Sequence, residues 1–183
     1  FPDSVGLTET AFWFTNIAMA YIQIKTYPDP ILRKACEPIE SITGETVILC
    51  NNMVETMRLA QGAGLAANQV GVSSRVAVLD PRTKKESKPI ILINPVIVEQ
   101  DSEEISEEGC LSLPRFYEYI KRAKKVLVRG INIDGEPFEM ECEGFLARAI
   151  QHELDHLNGL LLIDRLSPVK KDLFKKKYMK DRK

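Results

Sequence analysis

The chain has 183 residues and a mass of 20.7 kDa, which suits one domain with a hydrophobic core and is short for two. Its 44% hydrophobic and 28% charged residues are ordinary for a globular protein, and its formal net charge of −1 excludes a global field that attracts nucleic acid. The longest uncharged run, residues 10–24, is too short and too polar for a membrane span, and four scattered cysteines favour reduced thiols over a disulfide scaffold.

The first 18 residues lack the layout of a cleavable signal, because they have no basic start. They precede Met19-Ala20, which would make a natural translation start. We therefore expect residues 1–18 to be a leader or extension outside the fold, and residues 19–183 to form the domain.

The first half of the domain contains one clear helix and one short strand. Apolar residues near helical spacing predict the helix over residues 45–59. A segment rich in glycine and alanine, residues 61–69, allows close approach of the backbone. It is followed by a predicted strand over residues 75–79 and a polar loop over residues 80–88.

The second half carries the β-branched and aromatic residues that are typical of strands. They predict strands over residues 89–98, 125–133 and 137–142, with Asp134-Gly135 as the turn between the last two. The acidic residues 101–108 are predicted as an exposed loop before the site, with an inward-facing Glu108 as the alternative for that residue.

A second helix is predicted over residues 144–158, where Asn158-Gly159 supplies the stop. The basic end, residues 170–183, is predicted as a solvated terminal helix rather than an RNA-binding tail. The fold class is therefore α+β: a single domain with antiparallel or mixed β-sheets around the central helix, and a C-terminal helix.

The only two histidines of the chain are His152 and His156, in the sequence His-Glu-Leu-Asp-His. On a helix, this spacing places both imidazoles on one face, as in the HExxH metal-binding motif. A pair of surface histidines is the alternative interpretation. We favour a metal site, because histidines placed at random would rarely have this spacing.

Two imidazoles leave a catalytic metal short of the three protein ligands that are usual. The position of a third zinc-protease histidine is occupied by Leu162. Cys110 is the best third ligand, because a thiolate is a good metal ligand and the preceding glycine permits a close approach. Two alternatives stay open: a peptidase with Asp164 as the third ligand, and a structural metal domain in which Cys142 closes the site.

Three segments resemble the motifs of the peptide deformylase family, in the family's order. They are Gly62-Ala63-Gly64-Leu65-Ala66-Ala67-Asn68-Gln69, Glu108-Gly109-Cys110-Leu111-Ser112 and Gln151-His152-Glu153-Leu154-Asp155-His156-Leu157-Asn158-Gly159. The similarity extends from about residue 24 to residue 177. Ala63 and Asn68 depart from the commonest family pattern. These two departures affect the expected shape of the pocket and not the expected chemistry.

The resemblance implies a metal-dependent hydrolase that removes the formyl group from the N-terminal formylmethionine of newly made proteins and releases formate. It implies one divalent ion on Cys110, His152 and His156, with Fe²⁺ as the physiological ion and Zn²⁺, Ni²⁺ or Co²⁺ as alternatives. A metal-activated water would be the nucleophile, and Glu153 would be the general base and then the acid. The side-chain amide of Gln69 and the backbone N–H of Leu111 would stabilise the oxyanion.

The resemblance also implies a substrate groove beside the metal, in which Gly62 and Gly64 let an extended peptide pair with the backbone. The expected substrate-binding residues are Gly62, Ala63, Gly64, Leu65, Glu108, Gly109, Phe145, Arg148 and Ala149. Glu108 and Asp155 are candidates to orient the histidines, although Asp155 is equally well explained as a surface charge. The aromatic residues 113–119 either shape the groove or cap the core.

The expected partners are nascent peptides that begin with N-formyl-Met, met at the ribosome. We expect a monomer with no sequence-specific nucleic acid and no membrane partner. The expected compartment is a bacterial-type cytoplasm, with an organelle of bacterial ancestry as the alternative.

Overall fold

The computed structural model describes residues 21–81 and 88–180. The predicted leader and most of the predicted loop over residues 80–88 lie outside the described residues. The helices and strands, in chain order, are α1 Gly44–Leu59, β1 Gly64–Ala66, β2 Val76–Leu79, β3 Ile90–Asp101, β4 Glu104–Cys110, β5 Leu113–Arg122, β6 Lys125–Ile131, β7 Pro137–Glu143, α2 Gly144–Leu157 and α3 Pro168–Lys180. Short 3-10 helices cover Pro30–Arg33, Ala67–Val70 and Leu162–Arg165.

Five of these strands form one antiparallel sheet in the order β1-β2-β3-β6-β7. β6 and β7 pair from Lys125↔Glu143 to Ile131↔Pro137, so the hairpin turns near Asp134-Gly135, as the sequence indicates. Gly135 has a φ of +84°, which favours glycine at this turn. The predicted α+β fold, with a single domain, a central helix and a C-terminal helix, is confirmed.

The remaining two strands, β4 and β5, form a separate antiparallel ribbon. The prediction of a loop over residues 101–108 is therefore wrong, whereas the alternative that Glu108 faces inward is confirmed. Exposure alternates along this segment as it does along a strand: Ile105 and Glu107 are exposed on one face, whereas Glu108 is buried on the other. The strand was missed because its many acidic residues indicate solvent. The inner face nevertheless holds a charged residue, Glu108, because it forms a buried ion pair with Arg122.

Helix α2 packs against the large sheet, mainly through contacts with β1, β2 and β7. The apolar core on this side contains Leu79, Leu92, Val126, Val128, Cys142, Ala147, Ile150 and Leu154. Gly159 ends the helix region with a φ of +73°, and a Cβ there would lie 2.6 Å from the carbonyl oxygen of Arg33. The stop after α2 therefore requires glycine for both conformation and space.

Helix α3 packs on the second core region, where Phe174 is buried. The ring centroids of Phe174 and Phe116 lie 4.7 Å apart, and Phe174 also stacks with Tyr178 at 4.8 Å. Among residues 21–81 and 88–180, no helix combines the length and apolar character that a membrane span requires.

Candidate metal centre and substrate cavity

The side chains of Cys110, His152 and His156 converge at one point between α2 and the end of β4. Their ligand atoms all lie within 4.8 Å of one another, and Sγ of Cys110 is 3.1 Å from Nε2 of His156. The two histidines are one helical turn apart, and both are buried. In the part of the chain that the structure describes, this is the one cluster of histidine, cysteine and carboxylate groups with a geometry suited to a metal ion.

A chain of buried ion pairs orients His152. Its Nδ1 lies 3.0 Å from Oε2 of Glu108, and Arg122 donates two hydrogen bonds to the Glu108 carboxylate, at 2.9 and 3.0 Å. Arg122 also binds Asp155, which Arg165 contacts from the other side. Burial alone would raise the pKa of Glu108, but the hydrogen bonds from His152 and Arg122 lower it to about 2. The carboxylate is therefore charged and fixes the orientation of the imidazole.

His156 is held through its main chain by Asn68, whose side-chain amide donates to the His156 carbonyl at 2.5 Å. The pKa of His156 lies well below its usual range, first because it is buried and second because of the charge of His152. A neutral imidazole is the form that binds a metal.

Glu153 lies beside this cluster on α2 and is almost completely buried. Its Oε2 has no hydrogen-bond partner among the described residues. Burial raises the pKa of this carboxyl to about 7. A Cβ on Gly64 would lie 2.3 Å from Oε1 of Glu153, so only glycine at this position leaves room for the carboxylate.

Gln69 reaches the same cluster from the 3-10 helix after β1. Its Oε1 accepts a hydrogen bond from the backbone N–H of Ala66 at 2.8 Å, which fixes the amide. Its Nε2 donates to Oγ of Ser112 at 3.1 Å and lies 3.8 Å from Sγ of Cys110. The donor face of Gln69 therefore points at the centre, and Leu111 stands in the turn between Cys110 and Ser112.

A cavity of about 480 Å³ opens onto these side chains. Of the predicted substrate-binding residues, those that line it are Gly62, Ala63, Gly64, Glu108, Gly109, Phe145, Arg148 and Ala149. Leu65 does not line it, because its side chain is fully buried in the core around α1. The cavity is also lined by Gln69, Cys110, Leu111, His152 and Glu153.

The donor set fits a divalent metal ion with one thiolate and two imidazoles, and it leaves a side open to the cavity. Asp164, the alternative third ligand, is occupied elsewhere: Arg33 and Lys171 both contact its carboxylate. Cys142, the alternative fourth ligand, is buried in the sheet core among apolar residues. Neither residue belongs to the cluster.

Three residues that sequence reasoning did not assign to the site take part in its framework. Arg122 and Ser112 contact Glu108 and Gln69, and Asn68 holds His156. Asn68 and Ser112 could have been singled out, because each belongs to one of the three family motifs. Arg122 lies outside the motifs. Residues 113–119 bear out both interpretations: residues 113–117 line the cavity, and Leu113 is at the same time buried in the core.

Comparisons with known proteins agree with this geometry. A family model described as polypeptide deformylase matches residues 21–172. The chain is 51% identical over 162 residues to the peptide deformylase of Thermodesulfovibrio yellowstonii, covering 87% of this chain and 98% of that protein. It is 45% identical over 165 residues to that of Neisseria meningitidis serogroup A, covering 90% and 98%.

Solved structures give the same result. The crystal structure of a peptide deformylase from Legionella pneumophila superimposes with a TM-score of 0.81 at 43% identity, over 90% of this chain and 99% of that one. The enzyme from Ehrlichia chaffeensis in complex with actinonin gives 0.82 at 36% identity, over 89% and 98%. The chain therefore belongs to the polypeptide deformylase family, whose enzymes remove the N-formyl group from newly synthesised peptides.

Proposed function

We propose that this chain deformylates peptides at the cavity beside α2, with Cys110, His152 and His156 as metal ligands. Supporting this is the combination of a clustered thiol and two imidazoles with a buried carboxylate oxygen, on Glu153, that has no partner among the described residues. A divalent ion held there would supply a Lewis acid and make a hydroxide nucleophile available near neutral pH.

Glu153 is the proton carrier of this proposal. A carboxyl with a pKa near 7 accepts a proton from the attacking water and can return it to the departing amine. Its position one residue after His152 places it next to the ligands, and the absence of a side chain at Gly64 lets the carboxylate face the cavity. Proton transfer of this kind contributes typically 10²- to 10⁴-fold to a rate.

Gln69 and Leu111 are the proposed donors to the oxyanion that forms on the formyl carbon. The Gln69 amide is preorganised, because Ala66 holds its oxygen and leaves the NH₂ group as the donor. The second donor would be the backbone N–H of Leu111, in the turn between β4 and β5. Such donors stabilise charge that develops only in the transition state, so they raise the turnover rate more than the affinity.

The peptide chain would lie along the glycine-rich turn. Gly62, Gly64 and Gly109 add no side chains of their own to the cavity wall, and the side chains of Leu111, Glu153 and Tyr117 occupy the space beside them. Main-chain hydrogen bonds would give affinity with little dependence on sequence. Phe145, Arg148 and Ala149, on the first turns of α2, would enclose the methionine side chain with Ala63 opposite.

We further propose Fe²⁺ as the physiological ion, because the family resemblance implies it; the mixed thiolate and imidazole set also suits Zn²⁺, Ni²⁺ or Co²⁺. The substrate would be met as the chain leaves the ribosome, by a monomeric enzyme. The compartment would be one in which formylated chains are made, the bacterial-type cytoplasm or an organelle of bacterial ancestry.

The test is formate release from formyl-Met-Ala-Ser by protein loaded anaerobically with ferrous iron. We expect turnover by the unaltered chain, and a loss of at least about 10²-fold in Glu153→Ala with the metal content unchanged. Glu141→Ala, an exposed carboxylate on β7, serves as the matched control and should retain full activity. No formate from the metal-loaded unaltered chain would contradict the proposed function.

A further inference from the structure

The ribbon of β4 and β5 has two faces of different character. On the inner face, Ser106 accepts a hydrogen bond from Arg148, and Glu108 and Arg122 form the buried ion pair behind His152. On the outer face, Ile105, Tyr117 and Tyr119 are 66%, 65% and 63% exposed. Covering large apolar side chains that are this exposed is energetically favourable, so a group of them indicates a binding surface.

These three side chains form one surface, which we call the aromatic face. Glu107 pairs with Tyr119 and Gly109 with Tyr117, so alternate residues of the two strands share this face. Ile105 pairs with Lys121 and is a diagonal neighbour of Tyr119, within reach of a large side chain. The aromatic face therefore extends along the ribbon for about four residues, roughly 13 Å.

One end of the aromatic face reaches the substrate cavity. The Tyr117 ring lies over Gly109, where a Cβ would come within 2.6 Å of the ring. Tyr117, Gly109 and Glu107 all line the cavity, whereas Ile105 and Tyr119 do not. The exposed apolar surface thus begins at the cavity mouth and runs away from it.

We propose that the aromatic face binds apolar side chains in the part of the nascent substrate that follows the residues held in the cavity. The substrates of this enzyme family are newly synthesised peptides, so a chain must continue beyond the cavity, and the aromatic face is an apolar surface continuous with its mouth. Aromatic side chains provide a large contact area with little rotamer entropy to lose. This inference rests on the proposed placement of the substrate in the cavity.

The test compares three substrates: formyl-Met-Ala-Ser, and two eight-residue peptides that begin with the same residues and carry either leucine or serine at the fifth and seventh positions. We expect the unaltered chain to favour the leucine peptide by about fivefold in kcat/KM, chiefly through KM. The double variant Ile105→Ser/Tyr119→Ser should lose this preference and hydrolyse formyl-Met-Ala-Ser at the original rate.

A matched control is Val169→Ser/Leu173→Ser on α3, because these side chains are 69% and 60% exposed and do not line the cavity. It should keep the full preference for leucine. An equal leucine preference in the Ile105→Ser/Tyr119→Ser variant, or no preference in the unaltered chain, would overturn the proposal. If sedimentation shows that the unaltered chain is a dimer and that only Ile105→Ser/Tyr119→Ser abolishes it, the aromatic face binds a second copy of the chain. That result would overturn the proposal as well. Failure to hydrolyse formyl-Met-Ala-Ser would instead contradict the proposed function itself.

Discussion

Oε2 of Glu108 lies 3.0 Å from Nδ1 of His152 and accepts, at the same distance, a hydrogen bond from Arg122. A carboxylate in this position keeps the proton of the imidazole on Nδ1 and leaves Nε2 as the metal ligand. The charge of Glu108 is balanced by Arg122, which is itself balanced by Asp155. The orientation of His152 therefore depends on residues from β4, β5 and α2 together.

We expect Glu108→Gln to weaken metal binding about 10- to 100-fold, because an amide is a poorer acceptor for the His152 N–H and leaves Arg122 short of a charge. Competition with a chelator measures the Zn²⁺ affinity, and the absorption spectrum of the Co²⁺ form reports the ligand geometry. Both are measured well below the unfolding temperature. Glu107→Gln, an exposed residue on the same strand, is the control and should bind both ions normally. An unchanged Co²⁺ spectrum and affinity in Glu108→Gln would show that the carboxylate does not orient the ligand.

Gly64→Ala tests the close approach between β1 and Glu153. The added Cβ would lie 2.3 Å from Oε1 of Glu153, so the carboxylate must move. We expect kcat to fall by roughly 10²-fold while Cys110, His152 and His156 keep the metal, because the proton carrier is displaced and the ligands are not. Metal content and steady-state kinetics are the measurements.

Gly44→Ala is the matched control for this substitution, since a Cβ on Gly44 at the start of α1 meets no atom within 4 Å. It should leave kcat unchanged and stabilise the fold by about 0.5–1 kcal/mol, because alanine loses less backbone entropy in a helix. Full activity in Gly64→Ala would mean that Glu153 tolerates the new position, and its role as proton carrier would then be in doubt.

The residues of the proposed site could be singled out in the sequence because they stand within short, dense motifs. His152, Glu153 and His156 share one turn of a helix, the chemistry of thiolate ligands pointed to Cys110, and the family resemblance supplied Gln69 and Leu111. Arg122 was not predictable, because its contacts with Glu108 and Asp155 span 14 and 33 residues and depend on the pairing of β4 with β5. The prediction of a loop over residues 101–108 failed for the same reason: the acidic residues indicated solvent, and the strand that they form depends on the pairing of β4 with β5.

Gln69→Glu distinguishes the role of the Gln69 side-chain oxygen from that of its NH₂ group. The glutamate keeps an oxygen for the N–H of Ala66 and removes the donor that faces Cys110 and Ser112. We expect kcat for formyl-Met-Ala-Ser to fall about 10²- to 10³-fold with a small change in KM, because the lost bond forms to the oxyanion in the transition state. Ser112→Ala removes the partner of the same amide and should cost much less. A change in KM alone would assign Gln69 to ground-state binding.

Asp164 connects the N-terminal segment to the C-terminal helix. Its carboxylate accepts from the backbone N–H of Leu161 at 2.9 Å and from Nζ of Lys171 at 2.8 Å, and it pairs with Arg33. Partial burial would raise its pKa, but the bonds from Arg33 and Lys171 outweigh this and lower the pKa below its usual value. A depressed carboxyl pKa contributes stability at neutral pH that is lost as the pH falls through the folded-state pKa.

We therefore expect Asp164→Asn to lower the free energy of unfolding by about 1 kcal/mol at pH 7. The difference from the unaltered chain should shrink as the pH falls from the unfolded value of 3.8 through the lower folded-state pKa. Over this range the unfolded state is protonated first, and the folded carboxylate loses its charge only below its own pKa. Urea unfolding of the metal-free proteins at pH 7 and near pH 3 measures this. Metal content at pH 7 should stay unchanged, since Cys110 and not Asp164 is the proposed third ligand. Loss of the metal in Asp164→Asn, with retention in Cys110→Ala, would instead support the peptidase-like arrangement.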